Sequence, residues 1–462
     1  MYLERQVFLV VGLSKSGRAA TEFLLSKNAT VYIYDDVYNE RVEQVAHVLE
    51  GKGAKRVGKE DMSQVMEACD ALVLSPGVPI DHPLAVAFKR NHRAVIGEAE
   101  LAARYMRQPM IAVTGTNGKT TTVSMLAEVL TRGGITAQAC GNIGTPMIEY
   151  CQSEVDVAVA EISSFQLETL QSIRPHIAMV LNITEDHLNR HYNMENYIFL
   201  KSKLLKNCTE TEYAVLNYDD PIVRSFAEKT RAQVLYFSVK ERVNGAYYEE
   251  GALWFGKEKI LSVSDLPVGG LHNVQNALAV IVAAKIMGVK TEDIIAALTD
   301  FKGIKHRVEM VATVNGVAYI NDSKGTNVDA TMKAIDSMKA DTVLLLGGKH
   351  KGYDYEKLFA FLPNSKVIHA VLYGENRFSL LKAARACDYD AVTLCDRFDF
   401  AVRVASLKAK AGQNVLLSPA SASFDEFANY AERGDAFVAI VQSFIKPFQD
   451  EEEEILEVEE TE

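Results

Sequence analysis

The segment TGTNGKTT at residues 114–121 constrains the fold of this chain more than any other. It lies between an apolar run at 110–113 and a stretch at 121–130 whose apolar residues have helical spacing. In a strand–turn–helix unit of this kind, the glycines let backbone N–H groups face phosphate oxygens, and the helix N-terminus adds positive potential. The segment therefore predicts a parallel sheet that binds a nucleotide phosphate. It departs from the pattern GxxxxGK[ST], because Val113 stands where the first glycine would be.

The residue types of this loop suit nucleotide and metal binding. Lys119 would hold the β- and γ-phosphates, and the hydroxyl of Thr120 or Thr121 would reach Mg²⁺. A Gly-rich turn that binds nothing is the alternative, and the position between a strand and a helix disfavours it. The residues expected to contact the nucleotide are Gly115, Thr116, Asn117, Gly118, Lys119, Thr120 and Thr121.

Acidic and imidazole side chains follow two of the neighbouring predicted strands. Glu161 ends the run VDVAVAEI, and Asp186 and His187 follow the next run. Ligands of open parallel sheets bind in the crevice at the carboxyl ends of the strands. Alone, Glu161 would more often be an ordinary loop acid and His187 a hydrogen-bonded polar residue. Beside a phosphate loop, Glu161 and His187 become candidate metal ligands.

A second loop of interest, GLSKSG at residues 12–17, is similar to the dinucleotide fingerprint GxGxxG. Ser14 replaces the middle glycine, which normally lets a pyrophosphate approach the backbone, and this disfavours a dehydrogenase. Lys15 and the helix N-terminus would still neutralise a diphosphate, and Asp35 or Asp36 lies where a ribose or uridine contact is expected. We therefore expect a different nucleotide at this loop.

Alternation of short apolar runs with amphipathic stretches restarts twice along the chain, near Gln108 and near Gly303. This pattern and the length of 462 residues predict an α/β protein of three domains, at residues 1–107, 108–303 and 304–449. The first and third would be Rossmann-like, and the second a P-loop ATPase-type parallel sheet. Residues 233–265 are aromatic and β-branched with Asn-Gly and Glu-Gly turns, and they predict a small antiparallel part of hairpins on that sheet.

The formal charge of −12 is concentrated at one end of the chain. Nine of the thirteen residues at 450–462 are acidic, and the rest carries 52 acidic against 49 basic side chains. The near-neutral body argues against nucleic-acid binding, and no apolar run is long enough for a membrane span or followed by a cleavage site. The tail is expected to be disordered. Six scattered cysteines without a CxxC pair indicate free thiols in a reducing cytoplasm.

Nine short segments follow one another along the chain: SPGV (75–78), TGTNGKTT (114–121), GNIGTP (141–146), AEISSFQLE (160–168), NITEDHLNRH (182–191), HNVQN (272–276), KHRVE (305–309), NDSKGTN (321–327) and LLSPASASFDEF (416–427). In this order they resemble one family of ligases, the Mur ligases. The resemblance runs from about residue 5 to 447 and leaves out the acidic tail. SPGV, NDSKGTN and SPASASFDEF are most similar to the members that add D-glutamate.

The resemblance implies an ATP-dependent amide ligase of peptidoglycan precursor synthesis, acting in the cytoplasm and expected to be a monomer. It would join D-glutamate to UDP-N-acetylmuramoyl-L-alanine through an acyl phosphate. Residues 1–107 would bind the UDP-substrate, 108–303 ATP, and 304–449 the amino acid. Contacts to the UDP-substrate are expected from Ser14, Lys15, Ser16, Asp35, Asp36, Gly77 and Asn142.

For the ATP site, the resemblance implies that Asn276 lies near the adenine and that Arg307 and Asp322 contact the nucleotide. Two Mg²⁺ sites would be formed by Thr120, Glu161, His187 and a carbamylated lysine. Tyr-x-x-x-Lys spacing in YIFLKSK places that lysine at Lys201 rather than Lys203. A neutral lysine amine reacts with CO₂, and the resulting carbamate is an anionic metal ligand. Lys119, His187, Lys201 and Glu161 form the implied catalytic set.

For the acceptor, the resemblance implies that Thr326, Lys351, Ser423 and Tyr430 hold D-glutamate. A dicarboxylate needs a cation and hydroxyl donors, which suits Lys351 and Ser423. Tyr430 stands where the family often has Phe. Ser423 would alternatively be a helix N-cap before Asp425 and Glu426, or serve in both roles.

Three alternatives remain from the sequence. The chain would be a Mur ligase for another amino acid, a folylpolyglutamate synthase, or a nucleotide-binding regulatory protein without catalysis. The broken dinucleotide loop and NDSKGTN disfavour the folate enzyme. The joint presence of Lys119, Glu161, His187 and Lys201 disfavours the regulatory protein.

Overall fold

Strands and helices alternate along most of the described chain, as the restarts in the sequence predict. The computed structural model describes residues 3–267, 270–350 and 352–445. Lys351 and the acidic tail at 450–462 therefore lie outside the described residues. The chain divides into two compact units, Met1–Lys302 and Gly303–Glu462. The α/β class is confirmed, and the four residue ranges set from the sequence, 1–107, 108–303, 304–449 and 450–462, stay predictions.

The first sheet is five-stranded and wholly parallel, in the order β3-β2-β1-β4-β5. Its strands are β1 (Val7–Val11), β2 (Thr30–Tyr34), β3 (Lys55–Arg56), β4 (Ala71–Leu74) and β5 (Ala94–Gly97). Its helices are α1 (Lys15–Ser26), α2 (Glu40–Gly51), α3 (Met62–Ala68), α4 (Pro83–Arg90) and α5 (Glu98–Tyr105). The strand order reverses between β1 and β4, so the loops after these two strands flank the crevice where such sheets bind ligands.

The second sheet has nine strands in the order β14-β13-β12-β11-β10-β9-β6-β8-β7. The strands are β6 (Met110–Thr114), β7 (Ala137–Gly141), β8 (Val157–Glu161), β9 (Ile177–Val180), β10 (Tyr213–Asn217), β11 (Gln233–Ser238), β12 (Gly245–Glu249), β13 (Ala252–Phe255) and β14 (Glu258–Ser262). The helices are α6 (Lys119–Arg132), α7 (Ser164–Thr169), α8 (Leu188–His191), α9 (Met194–Ser202), α10 (Pro221–Arg224), α11 (Leu271–Ile286) and α12 (Thr291–Asp300), with short 3₁₀ turns at Met147–Gln152, Lys203–Leu205, Ser225–Lys229 and Val263–Asp265.

The antiparallel part of this sheet is smaller than predicted. Strands β12, β13 and β14 are antiparallel, as expected. Strand β11 instead pairs in parallel with both β10 and β12, so the prediction of hairpins from residue 233 is wrong there. The reason is that Asn-Gly at 244–245 does not close a two-residue hairpin. The chain returns through residues 239–244 to start β12 in the same direction as β11.

The Gly303–Glu462 unit holds a six-stranded sheet in the order β15-β16-β20-β17-β18-β19. The strands are β15 (Glu309–Val314), β16 (Val317–Asn321), β17 (Thr342–Gly347), β18 (Val367–Tyr373), β19 (Val392–Leu394) and β20 (Asn414–Leu417). The helices are α13 (Val328–Asp336), α14 (Glu356–Phe361), α15 (Arg377–Ala386), α16 (Phe398–Lys408) and α17 (Tyr430–Ile445), with a 3₁₀ turn at Leu362–Asn364. All neighbours are parallel except β15, an edge strand antiparallel to β16.

Strand register brings the candidate loops of the central sheet to one edge. Val113 pairs with Glu161, and Thr114 pairs with Val180, so β6, β8 and β9 end side by side. Gly141 also pairs with Glu161, which places the end of β7 there. The phosphate loop, Glu161 and the His187 segment therefore leave the sheet at the same edge. Among the described residues, no helix combines the length and apolar character needed to cross a membrane.

Candidate functional site

The phosphate loop turns tightly between β6 and α6. Gly118 has φ +85°, and a Cβ there would lie 2.4 Å from the Asn276 amide oxygen, so only glycine fits. The Lys119 ammonium folds back over the loop and donates to the carbonyls of Gly115 and Thr116, at 2.7 Å each. Helix α6 begins at Lys119, so its N-terminus faces the space above the loop. This is the geometry that binds phosphate.

The back of the loop is fastened to the segment after β9. The Thr116 hydroxyl donates to the Thr184 carbonyl at 3.0 Å. The Asn117 N–H donates to the side chain of Asn182 at 2.8 Å, and that side chain donates back to the Asn117 carbonyl at 3.0 Å. These reciprocal bonds fix the conformation of the loop before a ligand binds, so ligand binding does not have to order it. Asn276 is buried beside the loop, and its side-chain oxygen accepts from Thr122 at 3.3 Å.

Glu161 is a buried carboxylate directly beside the loop, 2% exposed. One carboxylate oxygen accepts from the Thr120 hydroxyl at 2.7 Å, and the other accepts from the Asn142 amide at 2.8 Å. The Thr121 hydroxyl is instead buried with no hydrogen-bond partner. Of the two threonines left open by the sequence, Thr120 is therefore the one beside the carboxylate. A hydroxyl and a carboxylate oxygen are donors that Mg²⁺ prefers.

His187 lies after β9 in a left-handed backbone conformation with φ +54°. Its Nε2 is 3.6 Å from a carboxylate oxygen of the buried Asp186, and its ring lies 4.7 Å from the ring of Phe165. A histidine in this conformation stores strain that the surrounding contacts must hold. Among the described residues, no group of three or more His, Cys, Asp or Glu side chains is arranged to hold a metal ion. A complete ligand set from this region would need other donors.

Lys201 is the most unusual cation in this region, because its side chain is buried (1% exposed) beneath the phosphate loop. Its ammonium donates to the Gly115 carbonyl at 2.9 Å and lies 3.4 Å from the Thr114 hydroxyl. Neither partner is a carboxylate. Burial holds the pKa of this amine well below its usual range, and the nearby positive charge of Lys119 lowers it further. The amine is therefore biased towards the neutral, nucleophilic form.

Lys203 occupies a different environment, two residues later. Its ammonium donates to the Leu167 carbonyl and lies 3.4 Å from that of Glu168. It is thus bound to the end of α7 rather than to the phosphate loop. Of Lys201 and Lys203, it is therefore Lys201 whose amine contacts Gly115.

The N-terminal candidate loop follows β1. Its helix packs closely, since a Cβ on Gly17 would lie 1.9 Å from the Gly12 carbonyl oxygen. The Leu13 N–H donates to a carboxylate oxygen of Asp35 at 2.7 Å, while Asp36 lies 3.1 Å from the His82 ring nitrogen. Asp35 thus fixes the backbone of the loop at Leu13, whereas the Asp36 side chain is more exposed.

The loop after β4 closes the other side of this crevice. The Ser75 hydroxyl donates to the Gly12 carbonyl at 2.8 Å and lies 3.5 Å from the Ser14 hydroxyl. Gly77 follows in an open position where a Cβ would meet nothing. Ser16 is partly exposed in the first turn of α1, and Lys15 donates to the Gly144 carbonyl in the loop after β7. Six of the seven predicted UDP-substrate residues therefore lie on the loops around this crevice. The seventh, Asn142, lies beside Glu161.

In the Gly303–Glu462 unit, Asp322 is buried at the end of β16. Its carboxylate accepts from the Ser418 hydroxyl at 2.7 Å and lies 3.3 Å from the Val308 N–H. Burial raises the pKa of this carboxyl to about 7, against the lowering effect of the Ser418 bond and of the Arg307 charge. The Arg307 Nε atom is buried without a hydrogen-bond partner. Asp322 is thus a buried carboxyl near the charge of Arg307, whose side chain is only partly buried.

The predicted acceptor residues lie on loops of the same unit. The Lys324 ammonium stands 5.3 Å from the centre of the Tyr430 ring, and the Ser323 hydroxyl donates to the Tyr430 carbonyl at 2.7 Å. Thr326 lies two residues after Lys324 and is partly buried, and Ser423 is 2% exposed. The helix N-cap interpretation of Ser423 is wrong. Its carbonyl accepts from Phe427 at 2.9 Å in a turn, and the next helix begins only at Tyr430.

Arg433 is the main residue of this unit that the sequence did not single out. It is fully buried, and its guanidinium donates to the Ser323 carbonyl at 2.8 Å and to the Ser421 carbonyl at 3.2 Å. Its Nε also donates to the Ser323 hydroxyl at 3.0 Å. Arg433 thereby joins the two loops that carry Thr326 and Ser423. Nothing local in the sequence signals this, because the partners are 110 and 12 residues away.

Family models cover most of the chain. They are the Mur ligase MurD-like N-terminal domain at residues 6–97, the Mur ligase middle domain at 113–284, and the glutamate ligase domain of Mur ligases at 306–421. The three matches fall on the three sheets described above.

Relatives of similar length share the same name. The chain is 40% identical to the UDP-N-acetylmuramoylalanine--D-glutamate ligase of Thermoanaerobacter sp. (strain X514), over 95% of this chain and 98% of that protein. It is 37% identical to the ligase of that name from Clostridioides difficile (strain 630), again over 95% and 98%. Both alignments run through all three sheets.

Solved structures of lower identity share the fold. The UDP-N-acetylmuramate-alanine ligase MurC from Thermotoga maritima matches with a TM-score of 0.63 at 18% identity, covering 95% of this chain and 99% of that one. MurF from Acinetobacter baumannii matches with a TM-score of 0.60 at 18% identity, covering 95% and 93%. At these identities the likeness supports the fold alone.

Proposed function

The chain belongs to the Mur ligase family, and we propose that it joins D-glutamate to UDP-N-acetylmuramoyl-L-alanine, with ATP converted to ADP and phosphate. One observation carries the proposal: the phosphate loop, the Glu161 carboxylate and the buried Lys201 amine meet at one edge of the central sheet. The names of the full-length relatives identify the substrates, since each is a UDP-N-acetylmuramoylalanine--D-glutamate ligase.

The reaction has two steps, and neither forms a covalent bond between the substrate and the enzyme. The carboxylate of the L-alanine group attacks the γ-phosphorus of ATP, forming an acyl phosphate and releasing ADP. The amine of D-glutamate then attacks the acyl carbon, an amide bond forms, and phosphate leaves as the amine loses a proton. The product belongs to the assembly of peptidoglycan precursors.

The residues of the central sheet position and neutralise anions in this reaction. Lys119 exchanges its carbonyl partners for phosphate oxygens, and the loop N–H groups bind the same phosphates. The Asn276 side chain lies against Gly118, so it limits where the loop can sit relative to the nucleotide. In phosphoryl transfer, positioning and charge stabilisation supply most of the rate enhancement, and the arrangement of this loop provides both.

The donor set around the loop fits Mg²⁺. Thr120 and Glu161 are oxygen donors in direct contact, and His187 follows the adjacent strand. Lys201 fits a carbamate, because its buried amine is held towards the neutral form that reacts with CO₂. Lys203 fits less well, since it binds carbonyls of α7. When bound, the ions would neutralise the phosphates and the developing charge on the carboxylate.

The N-terminal crevice would bind the UDP part of the substrate. The N-terminus of α1 with Lys15 and the hydroxyls of Ser14 and Ser16 offers donors for a diphosphate. Asp35 and Asp36 offer acceptors for the uridine, and Gly77 leaves room for close backbone approach. Asn142 would face the muramoyl end, because it lies beside Glu161.

The loops joined by Arg433 would hold D-glutamate through Thr326, Ser423 and Tyr430, and Lys351 is proposed as the cation although it lies outside the described residues. Arg307 and Asp322 would contact the nucleotide from this unit. We further propose that the protein is a cytoplasmic monomer. All six cysteines fall among the described residues and are free thiols, which suits a reducing compartment.

The experiment is a panel of amino acids offered with UDP-N-acetylmuramoyl-L-alanine, ATP and Mg²⁺, with product identified by mass. D-Glutamate should be joined far faster than L-glutamate, L-alanine or diaminopimelate, and EDTA should abolish the reaction. Lys119→Ala serves as the inactive control. Preference for another amino acid would mean that the chain is a Mur ligase with a different amino-acid substrate. Turnover of Lys119→Ala at the wild-type rate would refute the assigned nucleotide site.

A further inference from the structure

Arg190 makes a buried, two-point contact close to His187. Its Nε donates to one carboxylate oxygen of Glu168 at 3.0 Å and its Nη2 to the other at 2.6 Å. The two side chains are only 14% and 7% exposed. A parallel two-bond pair of this kind fixes orientation as well as distance, which a single ammonium contact does not. Neither side chain has a role in the function proposed above.

The same guanidinium also reaches the N-terminal sheet. Nη2 donates to the Val78 carbonyl at 2.9 Å and lies 3.5 Å from that of Pro76, and Nη1 lies 3.5 Å from that of Gly77. This loop, residues 75–78, borders the UDP-substrate crevice through the Ser75 bond to Gly12. Arg190 therefore connects a carboxylate of α7 to the backbone of the loop that borders the UDP-substrate crevice.

The third contact of Arg190 is with the His187 segment. The Arg190 N–H donates to the His187 carbonyl at 2.9 Å. The guanidinium carbon lies 5.0 Å from the centre of the Phe165 ring, which in turn lies 4.7 Å from the His187 ring. His187 and Tyr192, at the two ends of α8, both have positive φ, of 54° and 69°. Such a strained segment keeps its shape only when surrounding contacts hold it.

We propose that Arg190 is a positioning residue that holds the 75–78 loop at a set distance from the His187 segment. Resting on the proposed function, this means that Arg190 places the alanyl carboxylate of the UDP-substrate against the γ-phosphate of ATP. A misplacement of about 1 Å at this step costs up to ~100-fold in rate. The described contacts of Arg190 include the 75–78 loop but not the phosphate loop, so its replacement should affect the UDP-substrate much more than ATP.

The test compares Arg190→Lys with a matched control, Arg174→Lys. Arg174 also pairs with a carboxylate, Glu212, at 2.8 Å, but it lies before β9, at the opposite edge of the sheet from the phosphate loop. Arg190→Lys should lower kcat/KM for the UDP-substrate about 10- to 100-fold, with a much smaller change in the KM for ATP and in the binding of a non-hydrolysable ATP analogue. Arg174→Lys should match the wild type in all of these.

Glu168→Gln provides a second, independent variant, because it removes the carboxylate that orients Arg190 and leaves the arginine in place. It should show the same selective loss, and the double variant should be no worse than Arg190→Lys alone, since the two residues act as one unit. Wild-type kcat/KM in Arg190→Lys, additive losses in the double variant, or equal losses for both substrates would overturn the inference. The proposed function would stand in each case, because it is tested separately on the wild-type enzyme by the panel of amino acids.

Discussion

Glu98 allows a stability prediction whose size follows from its surroundings. It is the first residue of α5 and only 1% exposed, and one carboxylate oxygen accepts from the Ile148 N–H at 2.7 Å. The other oxygen is buried with no hydrogen-bond partner. Burial raises the pKa of this carboxyl from its ordinary 4.5 to about 7, the bond from Ile148 opposes the rise, and the charge of Glu149 adds to it.

The sign of the pH dependence follows from that direction. The folded state binds the Glu98 proton more tightly than the unfolded state does. The contribution of this protonation to the free energy of unfolding is therefore complete below pH 4.5 and is lost as the pH rises through 7. The difference between the two pKa values corresponds to ~3 kcal/mol of unfolding free energy. Glu98→Gln removes the buried charge and keeps an acceptor for Ile148. Because the amide N–H₂ is then left without a partner, which offsets ~1 kcal/mol or more of this, we expect a net gain of ~1–2 kcal/mol at pH 8.

The assay is thermal unfolding of both proteins at pH 5 and pH 8. For a unit of the size of Met1–Lys302, the gain corresponds to a rise in Tm of about 2–5 °C at pH 8, with little difference at pH 5. Glu100→Gln is the matched control. That side chain is also buried, but it accepts from Arg104 at 2.8 Å and from the N–H of Gln171 at 2.7 Å, so its loss should destabilise at both pH values. A lower Tm for Glu98→Gln at pH 8, or the same shift at both pH values, would refute the reasoning.

Three further predictions concern the two nucleotide loops and the tail. Lys201→Ala should lower ADP release about 100-fold or more, and added formate should restore part of it by replacing the carbamate, whereas Lys203→Ala should stay within about tenfold of wild type. The absence of any difference between these two variants would contradict the assignment. Gly17→Ala should raise the KM for the UDP-substrate and lower the free energy of unfolding by ~1–3 kcal/mol in thermal melts. The reason is that its Cβ would lie 1.9 Å from the Gly12 carbonyl oxygen. A normal KM and Tm would contradict the assignment of the UDP-substrate to this crevice. Deleting residues 450–462 should leave kcat/KM unchanged in the ADP assay, since the acidic surplus lies there and the body is near neutral; a large loss would place the tail in the site.

The central sheet was predictable because its chemistry is encoded locally. Gly115, Gly118 and Lys119 occur within five residues, and the geometry of a strand–turn–helix follows from that spacing alone. The position of Glu161 beside the loop also followed, because carboxyl ends of parallel strands meet at one edge. Lys201 was singled out only by the resemblance to the Mur ligases, through the Tyr-x-x-x-Lys spacing, and its amine contacts the Gly115 carbonyl in the structure.

The residues that the sequence did not reveal act through distant partners. Arg190 binds a carbonyl 112 residues away, and Arg433 binds Ser323, 110 residues away, so no local pattern marks either. Glu98 looks like an ordinary acid in the first turn of a helix until the 3₁₀ turn at Met147–Gln152 packs on it. The direction of β11 was missed for a related reason, because turn residues at 244–245 indicate a turn without fixing which way the next strand runs.

The central claim is that both substrates are needed for ATP turnover at the phosphate loop. The most direct measurement is coupled ADP release with UDP-N-acetylmuramoyl-L-alanine and D-glutamate, each omitted in turn. The account predicts sustained ADP release only when both are present, with one ADP per amide formed. Equal ADP release without D-glutamate, or none with both substrates present, would contradict it.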